Sequence, residues 1–542
     1  MSAITARVKK VEFEEMEKVL SDHFLEYILW DRRRRLRASR SIFLLGSIGI
    51  GKNGVVRSAL KNVIRGMVSF VKEVKGEVPP HVRRYATCIT QECQITKLKL
   101  MRRKDDAKIM RMVEGILDAL DLSNCPECQE VSDEGILIFT SSLDLELYKN
   151  RIVLVEHAIP SSTPEELTGL RDLSKDYSKQ SPPEWAVALR HARFGVLVLN
   201  DINYKCPEAV RLALNSISNE KRAGEYEFDK PVVLTANIEE DLDEYIESIQ
   251  LALANRAEIY HMTPPKILTW MKYMNSTHRD NWLTSIGSFL LLTSSYGIFQ
   301  DDRYIDDVFV SIPDENSLQA PTLRNFPTPR SWETVACHAK EYKEDYEYFL
   351  NIGNSRFACG ELKKLNERAY SLLGSESLAL SVVALVSSRR LNDALFRSGI
   401  SRVARVGRWE IEDAMQLING IIDFIEHLDD EIPCHIIPPG GKNLLISVLI
   451  INPFHRALNV LEKKLDPIKS SGRPSDLCRK IITLLENGEP ATTFLSSLLR
   501  ALQRDGEVVI DIKDQIVDEI KRRLSREPEE EEKLLPCLLS GP

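Results

Sequence analysis

The residues best suited to chemistry in this chain sit at positions 46–54: Gly46, Ser47, Ile48, Gly49, Ile50, Gly51, Lys52, Asn53 and Gly54. Glycines let a backbone curl until its N–H groups converge on an anion, and a lysine opening the next helix reaches the outer phosphates of a triphosphate. That chemistry requires a strand before the loop and a helix after it. The apolar run Ile42, Phe43, Leu44, Leu45 predicts the strand, and the periodicity of 55–71 predicts the helix. The position after the lysine usually offers a hydroxyl to magnesium. Here it is Asn53, whose amide oxygen is the hard donor in its place.

A second constellation ends the apolar run 194–199 with Asn200 and Asp201. At such a strand end one acidic residue normally orients the magnesium shell, and the next polarises the attacking water. Asn200 brings no charge to the first task. Opposite charges about 4 Å apart are worth on the order of 4 kcal/mol at an effective dielectric near 20, so weaker metal retention is expected. Asp201 keeps a carboxylate but is one methylene shorter than glutamate. Misplacing a water by about an ångström costs roughly a hundredfold in rate, so slow hydrolysis is expected.

The elements that must position these residues are legible as further apolar runs at 152–155, 195–199 and 232–234, separated by helix-like stretches. That alternation predicts a parallel α/β sheet. An amphipathic helix over 11–29 precedes the loop strand, and long helical patterns replace strand signals from Pro264 to Lys521.

With these residues in place, the run GVLVLNDINYKCPEAVRLAL at 195–214 resembles the MoxR-like AAA+ ATPases, whose pattern carries an aspartate and a glutamate before a similar isoleucine–asparagine pair. TPEELTGL at 163–170 and PPEW at 182–185 resemble the segment that this family places upstream. LTAN at 234–237 resembles its first sensor, making Asn237 the residue that would hold the catalytic water. LANRAE at 253–258 resembles the arginine-finger segment, and FPTPRSW at 326–332 the second sensor. By the resemblance, Arg256 reaches the nucleotide of a neighbouring subunit and Arg330 reaches from a helical lid to its own. Guanidinium groups suit both tasks because they stay charged and grip phosphate oxygens as a fork. The resemblance spans about 25–340.

What it implies is an AAA+ P-loop core with a parallel sheet and a helical lid, and the helical periodicity beyond it predicts an all-helical C-terminal domain outside the resemblance. The expected boundaries are an N-terminal helix at 1–40, the core at 41–262 with an insertion near 85–140, a lid at 263–342, a helical domain at 343–525 and an acidic tail at 526–542. ATP and magnesium are the implied ligands, with Asn53 and Asp201 beside the metal. A ring of copies, six in the family's manner, is implied as well, acting like a chaperone on a protein client. MoxR-like proteins commonly work with partners bearing von Willebrand factor A domains. Two alternatives remain open: a hydrolysis-poor assembly switch that only binds ATP, and an ATP-dependent nucleic-acid motor.

Composition weighs against the motor. The 542 residues carry a formal charge of −8, with neither a long basic stripe nor interleaved aromatics. The chain is 43% hydrophobic and 28% charged, as ordinary globular proteins are. Its N-terminal residues have no apolar core resembling a secretory signal, and no apolar run reaches the ~20 residues of a membrane span, so a cytoplasmic protein is expected. Ten scattered cysteines then predict reduced thiols. Among them Cys88, Cys93, Cys125 and Cys128 are spaced such that structural zinc is one reading and unconnected thiols the other.

Overall fold

A computed structural model describes residues 8–29, 40–73, 136–138, 152–159, 162–170, 181–192, 194–202, 208–237, 257–300, 307–311, 325–397, 409–432, 436–469, 474–504, 506–524 and 535–539. The chain divides into two compact units, Met1–Thr263 and Pro264–Pro542. Cys88, Cys93, Cys125, Cys128 and Arg256 lie outside the described residues.

The first unit is built on a parallel sheet. Its strands are β1 (Lys9–Val11), β2 (Ser41–Gly46), β3 (Ile136–Ile138), β4 (Ile152–Ala158), β5 (Phe194–Asn200), β8 (Val232–Asn237) and β9 (Ala257–Met262), with β6 (Arg222–Ala223) and β7 (Tyr226–Glu227) forming a separate hairpin. The seven strands lie in the order β1-β9-β2-β8-β5-β4-β3, and every neighbouring pair is parallel.

Successive side chains of a strand point to opposite faces, and the apolar residues follow that rule. Ile42 and Leu44 of β2, Leu154 of β4, and Val196 and Val198 of β5 join one cluster with Met16, Leu20 and Phe24 of the helix Phe13–Leu29 and Val55, Val56 and Leu60 of the helix Lys52–Glu73. Phe43, Leu45, Val153, Val155, Leu197 and Leu199 join another with Trp185 and Leu189 of Glu184–His191 and Val210 and Leu214 of Glu208–Asn215. Both faces are buried, which is why these strands read as unbroken apolar runs rather than as alternation. The expected α/β class is the one observed.

Polar residues enter this core as well, Lys221 among them. Lys221 is fully buried, with its ammonium donating to Ser41 Oγ and Ser218 O, each at 3.0 Å. No carboxylate is among these partners, and burial lowers its pKa from 10.5 to about 7. His23 is lowered to about 4, by burial first and then by the Lys221 charge. The folded state thus gives up the lysine proton near pH 7, whereas the unfolded chain holds it to about 10.5. Between those values the unfolded chain binds more protons, so stability rises with pH through that window. Lys221→Met is expected to raise the thermal midpoint most below pH 7, with the gain shrinking toward pH 10. Calorimetric melts at several pH values check this, and a gain that grew with pH would contradict the assignment.

The second unit is helical. A single hydrophobic cluster runs from Ile267 to Leu538, joining residues of the anticipated lid to residues of the anticipated C-terminal domain. Within it the helix Pro490–Ala501 is buried nearly all round. The run Gly441–Asp466 is 26 residues long, and its most apolar 18-residue window has mean hydropathy 1.6, long and apolar enough by those measures to cross a membrane. Of its most apolar window 61% is buried inside the protein, as in a core helix. The expectation from short apolar runs overlooked it because polar residues such as Asn452 and His455 interrupt them.

The expectation of reduced thiols throughout is corrected here. Cys478 and Cys537 form a disulfide, with Cα atoms 5.6 Å apart and the two cysteines 59 positions apart along the chain. It ties the segment 535–539 to the helix Pro474–Glu486. Spacing along the chain carries no signal for such a bond, because packing of distant helices creates it.

Candidate functional site

The site lies where three adjacent strands end. β8 sits between β2 and β5, and all three run in the same direction, so their C-terminal residues gather at one edge of the sheet. Ligands of open parallel sheets bind at that edge. Gly46 of β2 is in register with Asn237 of β8. Asn200 closes β5, and Asp201 follows it.

The glycine loop leaves β2 and enters the helix Lys52–Glu73, so a strand precedes it and a helix follows. Gly49 and Gly51 adopt φ of +74° and +93°, values that side-chain-bearing residues rarely tolerate. Gly46 is needed for space: a Cβ there would lie 2.6 Å from Ile50 Cδ1 and 2.7 Å from Met262 O. Gly46→Ala is therefore expected to cost about 1–3 kcal/mol of stability through overpacking against a backbone oxygen that cannot move freely. Urea unfolding of the variant and parent checks it, and equal midpoints would show the loop to be looser than described. Gly54, by contrast, has open space where a Cβ would go. Ile50 is buried, whereas Ile48 is exposed on the loop.

Lys52 is buried, and its Nζ donates to Gly46 O and Ser47 O, both at 2.8 Å, and to Asn237 Oδ1 at 2.7 Å. The amide of Asn237 continues the chain, donating from Nδ2 to Asp201 Oδ1 at 2.9 Å. The loop lysine, the end of β8 and the carboxylate after β5 are thereby joined in one hydrogen-bonded series. Four residues singled out from sequence, Gly46, Lys52, Asn237 and Asp201, meet in it.

Asp201 has φ of +56°, in the left-handed region. Short polar side chains such as aspartate and asparagine tolerate that conformation better than longer ones. This gives a backbone reason for an aspartate at this position. Asp201 N–H points to Thr235 Oγ1 at 3.4 Å, and Thr235 Oγ1 donates to Asn200 Oδ1 at 3.2 Å. Thr235 was not anticipated. Its signal in the sequence is its place two residues before Asn237, which puts both side chains on the same face of β8.

For a metal, the oxygen donors expected from the sequence are the Asp201 carboxylate and the amide of Asn53, which is half-buried. The Asn200 amide oxygen already accepts from Thr235. No group of three or more His, Cys, Asp or Glu side chains suited to a metal occurs among the described residues.

Arg330 belongs to the second unit. Thr328 caps the helix Pro329–Asn351: its hydroxyl accepts from Ser331 N, the Ser331 hydroxyl accepts from Thr328 N, and proline occupies the first turn. Trp332 is buried, donating from Nε1 to Val308 O at 2.7 Å, and Trp270 Nε1 donates to Pro329 O at 3.2 Å. These anchors fix the first turn and leave Arg330 exposed.

The first unit is thus a parallel α/β domain with a glycine loop at the carboxyl edge of its sheet. No protein-family model matches the chain, and no significant match is found among curated proteins or solved structures.

Proposed function

We propose that the Met1–Thr263 unit binds ATP with magnesium at the glycine loop, and that the protein is an AAA+ ATPase of the MoxR-like kind with slow hydrolysis. The observation that carries this reading is the series Lys52, Asn237, Asp201 across the ends of β2, β8 and β5. A phosphate-loop lysine, a polar residue on the central strand and a carboxylate on the next strand are the parts that a hydrolytic nucleotide site needs in contact.

In this reading the loop N–H groups and the helix N-terminus cradle the phosphates, and Lys52 turns from Gly46 O and Ser47 O toward them. Asn237 orients water and Asp201 accepts its proton. Magnesium would neutralise phosphate charge and would be held by Asn53 and, through water, by Asp201. Arg256 and Arg330 keep the roles that the family resemblance gives them, in a ring of copies acting on a protein client, with a von Willebrand factor A domain as one class of client.

A specific observation also favours the assembly-switch reading: the position next to Asp201 carries an uncharged Asn200, and its oxygen is engaged by Thr235. Measuring ATP turnover alongside size-exclusion elution with and without ATP separates the two. Turnover with nucleotide-dependent assembly supports the ATPase. Assembly without turnover supports the switch, and absence of both removes each.

A further inference from the structure

The Pro264–Pro542 unit contains a cavity of about 570 Å³. That volume falls within the roughly 300–1,000 Å³ of small-molecule sites. Phe326, Leu378 and Val448 supply apolar wall, while Ser375, Ser377, His455 and Arg456 supply polar atoms.

The lining contains one acidic residue, Asp307, and its oxygens are committed to the protein. Oδ1 accepts from Ser294 Oγ at 2.6 Å and Phe309 N at 2.8 Å. Oδ2 accepts from Ser295 N at 2.7 Å and pairs with Arg456 Nη1 at 2.5 Å. A carboxylate engaged in this way offers little to a cation.

The other polar groups favour an anion. Arg456 is 4% exposed, so its guanidinium is held in a dry wall where charge interactions are strong. A buried ion pair rarely adds net stability over apolar residues of similar volume, so stability alone gives little reason for this one. His455 Nδ1 is buried without a hydrogen-bond partner, and burial first, then the Arg523 charge, push the pKa of the ring down. The helix Glu376–Ser387 begins at the cavity, capped by Ser375, whose hydroxyl accepts from Leu378 N. Its positive end favours negative charge there.

We infer that this cavity binds a small organic molecule bearing an oxyanion, a phosphate or carboxylate group, with Arg456, His455 and Ser377 facing the anion and the apolar wall taking its body. The cavity lies within the second unit, and the inference does not depend on whether the glycine loop takes a nucleotide.

The test uses the full chain carrying Lys52→Ala, so that the glycine loop does not contribute, titrated calorimetrically with phenyl phosphate and with benzoate. Saturable one-to-one binding at about millimolar concentration is expected for at least one probe. Phenyl phosphate alone would assign a phosphate ligand, benzoate alone a carboxylate, and both would support the shared oxyanion chemistry. Ser377→Glu adds a negative charge to a helix first turn, which tolerates it, and is expected to weaken binding at least about tenfold. Arg456→Lys keeps a cation for Asp307 but loses the fork, and is expected to weaken binding severalfold. Absence of binding by both probes, or full affinity in the Ser377→Glu chain with its circular dichroism unchanged, would overturn the inference.

Discussion

Lys52→Ala is expected to weaken ATP binding by about 100- to 1,000-fold while leaving the chain folded. The ammonium lies at the loop and already makes hydrogen bonds to Gly46 O, Ser47 O and Asn237 Oδ1. Hydrogen bonds to charged groups contribute about 1.5–3 kcal/mol each, and losing more than one to the outer phosphates gives a fold-change of that order. The cost to the fold is smaller, because the acceptors left behind sit at the sheet edge, where solvent can replace the lysine. Titration with a fluorescent ATP analogue reads the affinity, and circular dichroism reads the fold. Equal affinity in parent and variant would mean that phosphates do not meet this lysine.

The second large effect is expected at the carboxylate. Asp201→Asn should lower ATP turnover by about 100- to 10,000-fold, the usual contribution of a positioned general base, while changing ATP affinity little. The amide is the cleaner choice than alanine. It suits the left-handed backbone at this position, and its oxygen can still accept from Asn237 Nδ2. A fall in turnover therefore reports the lost base and not a rearranged loop. Single-turnover measurements at saturating ATP separate chemistry from binding. Unchanged turnover would move the base elsewhere. Loss of binding together with turnover would make Asp201 a ligand-holding residue instead.

The parts of this design that sequence makes legible are those governed by neighbours along the chain. The run at 42–45 could only be a buried strand, given the glycines after it, and the loop then had to open a helix. Asn200, Asp201 and Asn237 stood out because each is a polar residue closing an apolar run. What joins them was not legible. The bond from Lys52 to Asn237 exists because β8 lies beside β2, an adjacency that topology decides between residues 185 positions apart. Thr235 escaped notice for the same reason: its partner Asn200 lies on a different strand. The burial of Lys221 also depends on a distant strand, because Ser41 of β2 bonds both to it and to Ser218 O of the preceding turn. The bond between Cys478 and Cys537 and the cavity beside Arg456 are likewise products of helices brought together from distant segments.

Capping shows the opposite case, where local chemistry suffices. Thr328, Pro329 and Ser331 stop and start the chain by bonds within four residues, so the helix carrying Arg330 begins where its sequence says it should. The same locality explains the capping box at Thr163 and Glu166. The arginine itself carries no such signal, since an exposed guanidinium is the ordinary state of that residue.

The most direct measurement is isothermal titration of the full chain with ATP and magnesium. Saturable binding at one site per chain is predicted, with ADP competing and Lys52→Ala abolishing the heat. A flat titration at millimolar ATP, from a chain whose circular dichroism shows it folded, would contradict the assignment of the glycine loop as a nucleotide site.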